Sequence, residues 1–86
     1  MNLAVVKVVC QSLERYHVGR LGVPRVSIYR VLDDAKFYLT LAGEKYDRDE
    51  VLAALAGPGL RWLDARGRTA RLVGYRGRGD WVEVAS

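Results

Sequence analysis

The last third of the chain alternates between apolar and polar residues with the period of two that is typical of β-strands. Three such runs, at 60–64, 68–75 and 81–85, are separated by residues that favour turns, and they predict a three-stranded antiparallel meander. The alternation places on an inner face Trp62, Ala70, Leu72, Gly74, Val82 and Val84. It places on an outer face Arg61, Thr69, Arg71, Val73, Tyr75, Trp81 and Glu83. We therefore expect one packed face and one solvated face.

The first seventeen residues show apolar side chains at helical spacing. Steps of three and four connect Leu3, Val6, Cys10, Leu13 and His17, which predicts an amphipathic helix. The four valines at 5, 6, 8 and 9 also suit a strand, because β-branched side chains are stiff at χ1. We predict the helix.

Residues 25–42 have two interpretations. Their many β-branched and aromatic residues, with Asp33 and Asp34 midway, predict a β-hairpin with a tight acidic turn. The same segment also contains an apolar stripe at helical spacing, with Ser27 placed as N-cap and Gly43 after the C-terminus. A helix here would give three helices followed by a β-ribbon, which is the order of a winged helix-turn-helix domain. We predict the hairpin, because two adjacent aspartates are poor in a helix interior.

A further helix begins at residue 47. Asp47 is a good N-cap, and Glu50 three residues later completes the spacing of a capping box. The segment Gly57-Pro58-Gly59 ends this helix. The predicted fold is a single α+β domain over residues 1–86: a helix, a β-hairpin, a second helix and the meander.

Charge distribution and cysteine content limit the classes of function that this sequence is expected to have. The 86-residue chain has a net charge of +4, distributed as +4 over residues 1–32, −3 over 33–50 and +3 over 51–86. Two basic blocks around an acidic one favour an anion-binding side and an opposite, solubilising side. The single Cys10 excludes an internal disulfide and, without a leader or an apolar run of membrane length, predicts a cytoplasmic protein. The scarcity of Asn and Gln is typical of thermophiles.

No pattern for catalysis or for a cofactor is found. Asp47, Asp49 and Glu50 are better explained as acids at a helix N-terminus than as metal ligands. The lone His17 has no visible second ligand or nucleophile. The glycine fingerprints of dinucleotide and phosphate loops are absent from the sequence. We expect no enzyme activity, no metal and no cofactor.

The strongest signal is six arginines within the eighteen residues 61–78, interleaved with aromatic residues. Guanidinium groups match phosphate oxygens, and aromatic rings stack on unpaired bases. We therefore predict a small nucleic-acid-binding protein, with RNA favoured over duplex DNA. The expected contacts to phosphate from the sheet are Arg61, Arg68 and Arg71. The expected contacts from the loops are Arg66, Arg76 and Arg78, and the expected stacking residues are Tyr75 and Trp81.

The hypothesis of nucleic-acid binding also predicts how affinity depends on salt. Four phosphate contacts on duplex DNA would give a slope of about −3.6 for the logarithm of affinity against that of salt concentration. The alternative function is a protein–protein interaction module, either a homodimer or a minor subunit of a larger assembly, because half of the residues are hydrophobic.

Overall fold

The structure, a computed structural model, describes residues 2–20, 22–62, 66–74 and 80–85. Within these residues the chain forms three helices and four strands. In chain order they are α1 (Leu3–Arg15), β1 (Arg25–Ser27), α2 (Ile28–Leu41), α3 (Arg48–Leu55), β2 (Leu60–Arg61), β3 (Thr69–Val73) and β4 (Trp81–Ala85). The protein is thus a small α+β domain, as the sequence predicts.

Each helix begins at a short polar side chain that accepts hydrogen bonds from its first turn. The side chain of Asn2 accepts from the backbone N–H of Ala4, and that of Ser27 from Tyr29. Asp47 accepts from the N–H groups of both Asp49 and Glu50. These bonds satisfy donors that no helical carbonyl can reach, so the caps fix where the helices start.

The four strands form one antiparallel sheet in the order β1-β4-β3-β2. The β3–β4 register pairs Ala70 with Val84 and Leu72 with Val82, and β2 pairs Leu60 with Ala70. The predicted meander is confirmed in β2, β3 and β4. The short strand β1 joins it by pairing with β4, although fifty-three residues lie between the paired Ser27 and Trp81.

The predicted β-hairpin over residues 25–42 is wrong. Only residues 25–27 are extended, and helix α2 occupies 28–41 with Ser27 as its cap. Asp34 does not form a turn: the buried Ser12 hydroxyl donates to one of its carboxylate oxygens at 2.9 Å, and Arg15 Nη1 donates to the other at 2.9 Å. Partners on α1 therefore make an aspartate acceptable inside a helix, and they override the local preference for strand.

One apolar core lies between the helices and the inner face of the sheet. Helices α1 and α2 are antiparallel neighbours: the end of α1 contacts the second turn of α2 through Arg15 and Asp34, and Ala4 near its start lines the same surface hollow as Leu41. The fully buried side chains of largest volume are Val9, Leu13, Val18, Val31, Leu39, Val51, Leu55, Leu60 and Val82, together with Ser12. The helices pack against the inner face, and the side chains of the outer face are exposed or half-buried. None of the helices described is long and apolar enough to span a bilayer.

Candidate nucleic-acid interface

The outer face of the sheet is organised in rows that run across the strands. The middle row is Arg25, Glu83 and Arg71, because Glu83 pairs with both arginines in the two registers. On one side lies the row Ser27, Trp81 and Val73. On the other side lies the row Ala85, Thr69 and Arg61. We call these nine residues the outer sheet face.

The charge of this face is positive but partly neutralised. Glu83 stands between Arg25 and Arg71 in the middle row, and its carboxylate is 3.9 Å from Arg25 Nε. The guanidinium carbon of Arg25 is 5.9 Å from the centre of the Trp81 ring, and that ring is 39 % exposed. Arg61 and Arg71 are exposed and form no ion pair with an acid among the described residues. The face therefore combines three cations, one anion and one accessible indole.

Three of the predicted contact residues come together on this face: Arg61, Arg71 and Trp81. Arg66 is also exposed, in the turn that leads to β3. Tyr75, Arg76 and Arg78 lie outside the described residues. The prediction of a shared face thus agrees with the structure for the strand residues, because a period-two alternation and a regular register are enough to place them.

Arg68 does not belong to the outer sheet face. It is only 7 % exposed, its guanidinium carbon lies 4.1 Å from the centre of the Trp62 ring, and its Nη2 donates to Glu14 Oε1 at 3.3 Å. The strand alternation explains why Arg68 is buried. It stands two residues before the buried Ala70, so its side chain points to the same inner side of the sheet. Trp62 is buried, as the sequence predicts.

Sequence reasoning leaves Arg25 out of the candidate contacts. It reaches the outer sheet face because β1 pairs with β4. No local sequence pattern predicts this pairing. A second basic cluster forms for a similar reason where α1 and α2 meet. There the guanidinium carbons of Arg15 and Arg30 lie 5.4 and 5.5 Å from the centre of the Tyr16 ring. Each of these contacts is a cation–π interaction.

The acidic middle of the chain lies elsewhere. Asp47, Asp49 and Glu50 surround the N-terminus of α3, where the first is the cap and the other two interact favourably with the helix dipole. Burial raises the pKa of the nearby Tyr46 above its ordinary value, against a smaller lowering by Arg48. The described residues contain no group of three or more His, Cys, Asp or Glu side chains that could hold a metal ion.

Comparison of the chain with protein-family models, with curated proteins and with solved structures gives no match.

Proposed function

We propose that this chain is a small, non-enzymatic nucleic-acid-binding protein that binds through the outer sheet face. The observation that carries the proposal is that Arg25, Arg61 and Arg71 share the outer sheet face with the exposed Trp81. An arginine fork can bind two phosphate oxygens at once, and these three arginines lie on three different strands of the same sheet face.

RNA or another single strand is the preferred ligand. An exposed indole beside a guanidinium offers a stacking platform for an unpaired base, and stacking of this kind contributes about 1–3 kcal/mol per base. The bases of a regular duplex are already stacked on one another, so Trp81 has no comparable partner there.

The order of the elements, with three helices followed by a β-ribbon, is also that of winged helix-turn-helix domains. In helix-turn-helix proteins the second helix of the motif enters the major groove. Here that helix is α3, and its first turn carries Asp49 and Glu50 after the cap Asp47. Three carboxylates would be repelled by the phosphates that flank the groove. The sheet is therefore the better binding surface.

The test is fluorescence anisotropy with labelled single-stranded RNA, single-stranded DNA and duplex DNA over a range of salt concentrations. Three phosphate contacts predict a slope of about −2 for single strands and about −2.7 for a duplex. Arg71→Gln should reduce the single-strand slope by about 0.7. Trp81→Ala should weaken single-strand binding by about tenfold, because one stacked base is lost.

The matched control is Lys7→Gln, which removes the same charge from an exposed position on α1. It should leave the slope and the affinity near those of the wild type. Equal effects of Arg71→Gln and Lys7→Gln would mean that only net charge matters and that the outer sheet face is not the site. An affinity that does not change with salt would reject nucleic-acid binding by arginine altogether.

A protein-interaction module is the second candidate function. A different surface favours it: helix α2 exposes several large apolar side chains on the side that faces away from the core.

A further inference from the structure

A row of residues at four-residue steps projects from α2 into solvent: Tyr29, Asp33, Phe37 and Leu41. We call it the α2 ridge. Its three apolar members are 62 %, 61 % and 74 % exposed. Two further large hydrophobic residues are exposed in the described part of the chain, Leu3 and Trp81, so most of the exposed large apolar side chains belong to this one helix. Such a concentration on a small protein is typical of an interaction site.

The exposed side of α2 carries one negative and one positive side chain, Asp33 and Lys36. Asp33 is a member of the α2 ridge, and Lys36 stands on the adjacent turn, beside Phe37. Both are exposed, and neither forms an ion pair with another described residue. A surface with one acid and one base three residues apart is complementary to a copy of itself in the antiparallel orientation.

We propose that the partner of the α2 ridge is a second copy of this chain, packed antiparallel about a two-fold axis that meets the exposed side of α2 midway between the levels of residues 34 and 35. In this arrangement Asp33 of each copy faces Lys36 of the other, which gives two identical ion pairs. A two-fold interface must be self-complementary in this way. Rows of residues at four-residue spacing are also the ridges that interlock in the commonest class of helix packing.

The same axis supplies an apolar contact on each side of the ion pairs. It brings Tyr29 of one copy next to Thr40 and Leu41 of the other. There an open hollow of about 520 Å³ is lined by these two residues together with Asp33, Lys36 and Phe37. The tyrosine ring enters the hollow, and its hydroxyl stays at the rim, where it keeps contact with water.

This interface leaves the outer sheet face open, because the two surfaces share no residue. A dimer then presents two basic faces. The inference does not rest on nucleic-acid binding, and each of the two is tested by variants that leave the other surface intact.

Light scattering after gel filtration and sedimentation equilibrium at several protein concentrations measure the association. The wild type should be a dimer with a measurable dissociation constant. Phe37→Glu should raise that constant on the order of a hundredfold, because it places a charge in the centre of the contact. Leu3→Glu is the matched control, since it changes an equally exposed apolar residue outside the α2 ridge. Circular dichroism checks that both variants are folded.

Charge exchange tests the antiparallel register. Asp33→Lys alone and Lys36→Asp alone should each raise the dissociation constant at least about tenfold, because like charges then face each other twice. An equimolar mixture of the two variants should form a heterodimer as tight as the wild-type dimer, since every facing pair is again of opposite sign. A monomeric wild type, a dimer that Phe37→Glu does not weaken, or a mixture that associates no better than either variant alone would each overturn the proposal.

Discussion

Arg68 tests whether the arginines of the meander divide into a structural group and a binding group. Its side chain is buried over Trp62 and bonded to Glu14 on α1, whereas Arg71, three residues later, is exposed on the outer sheet face. We expect Arg68→Met to destabilise the fold and to leave nucleic-acid affinity unchanged. Methionine retains much of the apolar stem and removes the guanidinium.

The expected loss is worked out from the contacts of the guanidinium with Trp62 and Glu14. A desolvated cation over an indole contributes about 2 kcal/mol. The bond to Glu14 adds about 1 kcal/mol, at the lower end for a charged partner, because this carboxylate is partly exposed to water. Glu14 also pairs with Arg20, so the substitution leaves no unpaired carboxylate and does not reach the cost of breaking a fully buried pair. We therefore expect a decrease of about 3 kcal/mol in the free energy of unfolding.

Urea denaturation followed by tryptophan fluorescence measures this loss, and the buried Trp62 reports directly on the site. For a domain of this size, about 3 kcal/mol corresponds to a decrease in Tm on the order of 15 °C. Arg61→Met is the matched control, because it removes an exposed guanidinium and should change stability by less than about 0.5 kcal/mol. All variants are compared at one protein concentration, since association stabilises the folded state.

Two results would refute this reasoning. A stability of Arg68→Met equal to that of Arg61→Met would show that the buried stack contributes nothing. A loss of nucleic-acid affinity in Arg68→Met as large as in Arg71→Gln, with the fold intact, would place Arg68 in the binding site.

Three more substitutions have definite expected outcomes. Glu83→Gln should tighten nucleic-acid binding by about fivefold at low salt, measured by anisotropy, because it removes about 1 kcal/mol of repulsion from the middle of the outer sheet face. Asp34→Ala should lower the free energy of unfolding by about 2 kcal/mol in urea denaturation, because the buried hydroxyl of Ser12 loses its acceptor. Gly59→Ala should cost more than Gly57→Ala in the same assay. Both glycines have positive φ, which costs alanine about 1 kcal/mol, but a Cβ at Gly59 would also lie 2.5 Å from a backbone oxygen of β3, whereas one at Gly57 meets no atom within 4 Å.

Each of these expectations has a contrary result. Unchanged or weaker binding by Glu83→Gln would mean that nucleic acid does not contact the middle row. A fully stable Asp34→Ala would mean that the hydroxyl finds another partner. Equal losses for the two glycine variants would mean that β3 moves away from the added methyl group at little cost.

The sequence alone determines the parts of the fold that depend on near neighbours. Asp47 and Glu50 identify the start of α3, and Gly57 and Gly59 identify its end. The alternation in the last third of the chain predicts which residues of β3 and β4 lie on the inner face of the sheet and which lie on the outer face. These features follow from caps, turn residues and the period of the strand, all of which act within a few residues.

The tertiary structure decides the segments whose local preferences conflict. Residues 28–41 favour strand by composition and helix by apolar stripe. The helix forms because Ser12 and Arg15, on a different element, satisfy Asp34 and because α1 covers the stripe. The predicted hairpin is wrong for this reason. It is predicted from the preferences of neighbouring residues, whereas the contacts that stabilise the helix join two different elements of the fold.

The residues of the candidate site can be divided in the same way, into those placed by the local pattern and those placed by tertiary contacts. Arg61, Arg71 and Trp81 share a face because a strand alternates, which the sequence shows. Arg25 joins them, and Arg68 leaves them, through contacts with residues more than fifty positions away along the chain. Strand pairing and ion pairs at such separations depend on how the helices and the sheet pack together, and that packing minimises buried apolar and unpaired polar surface over the whole chain at once.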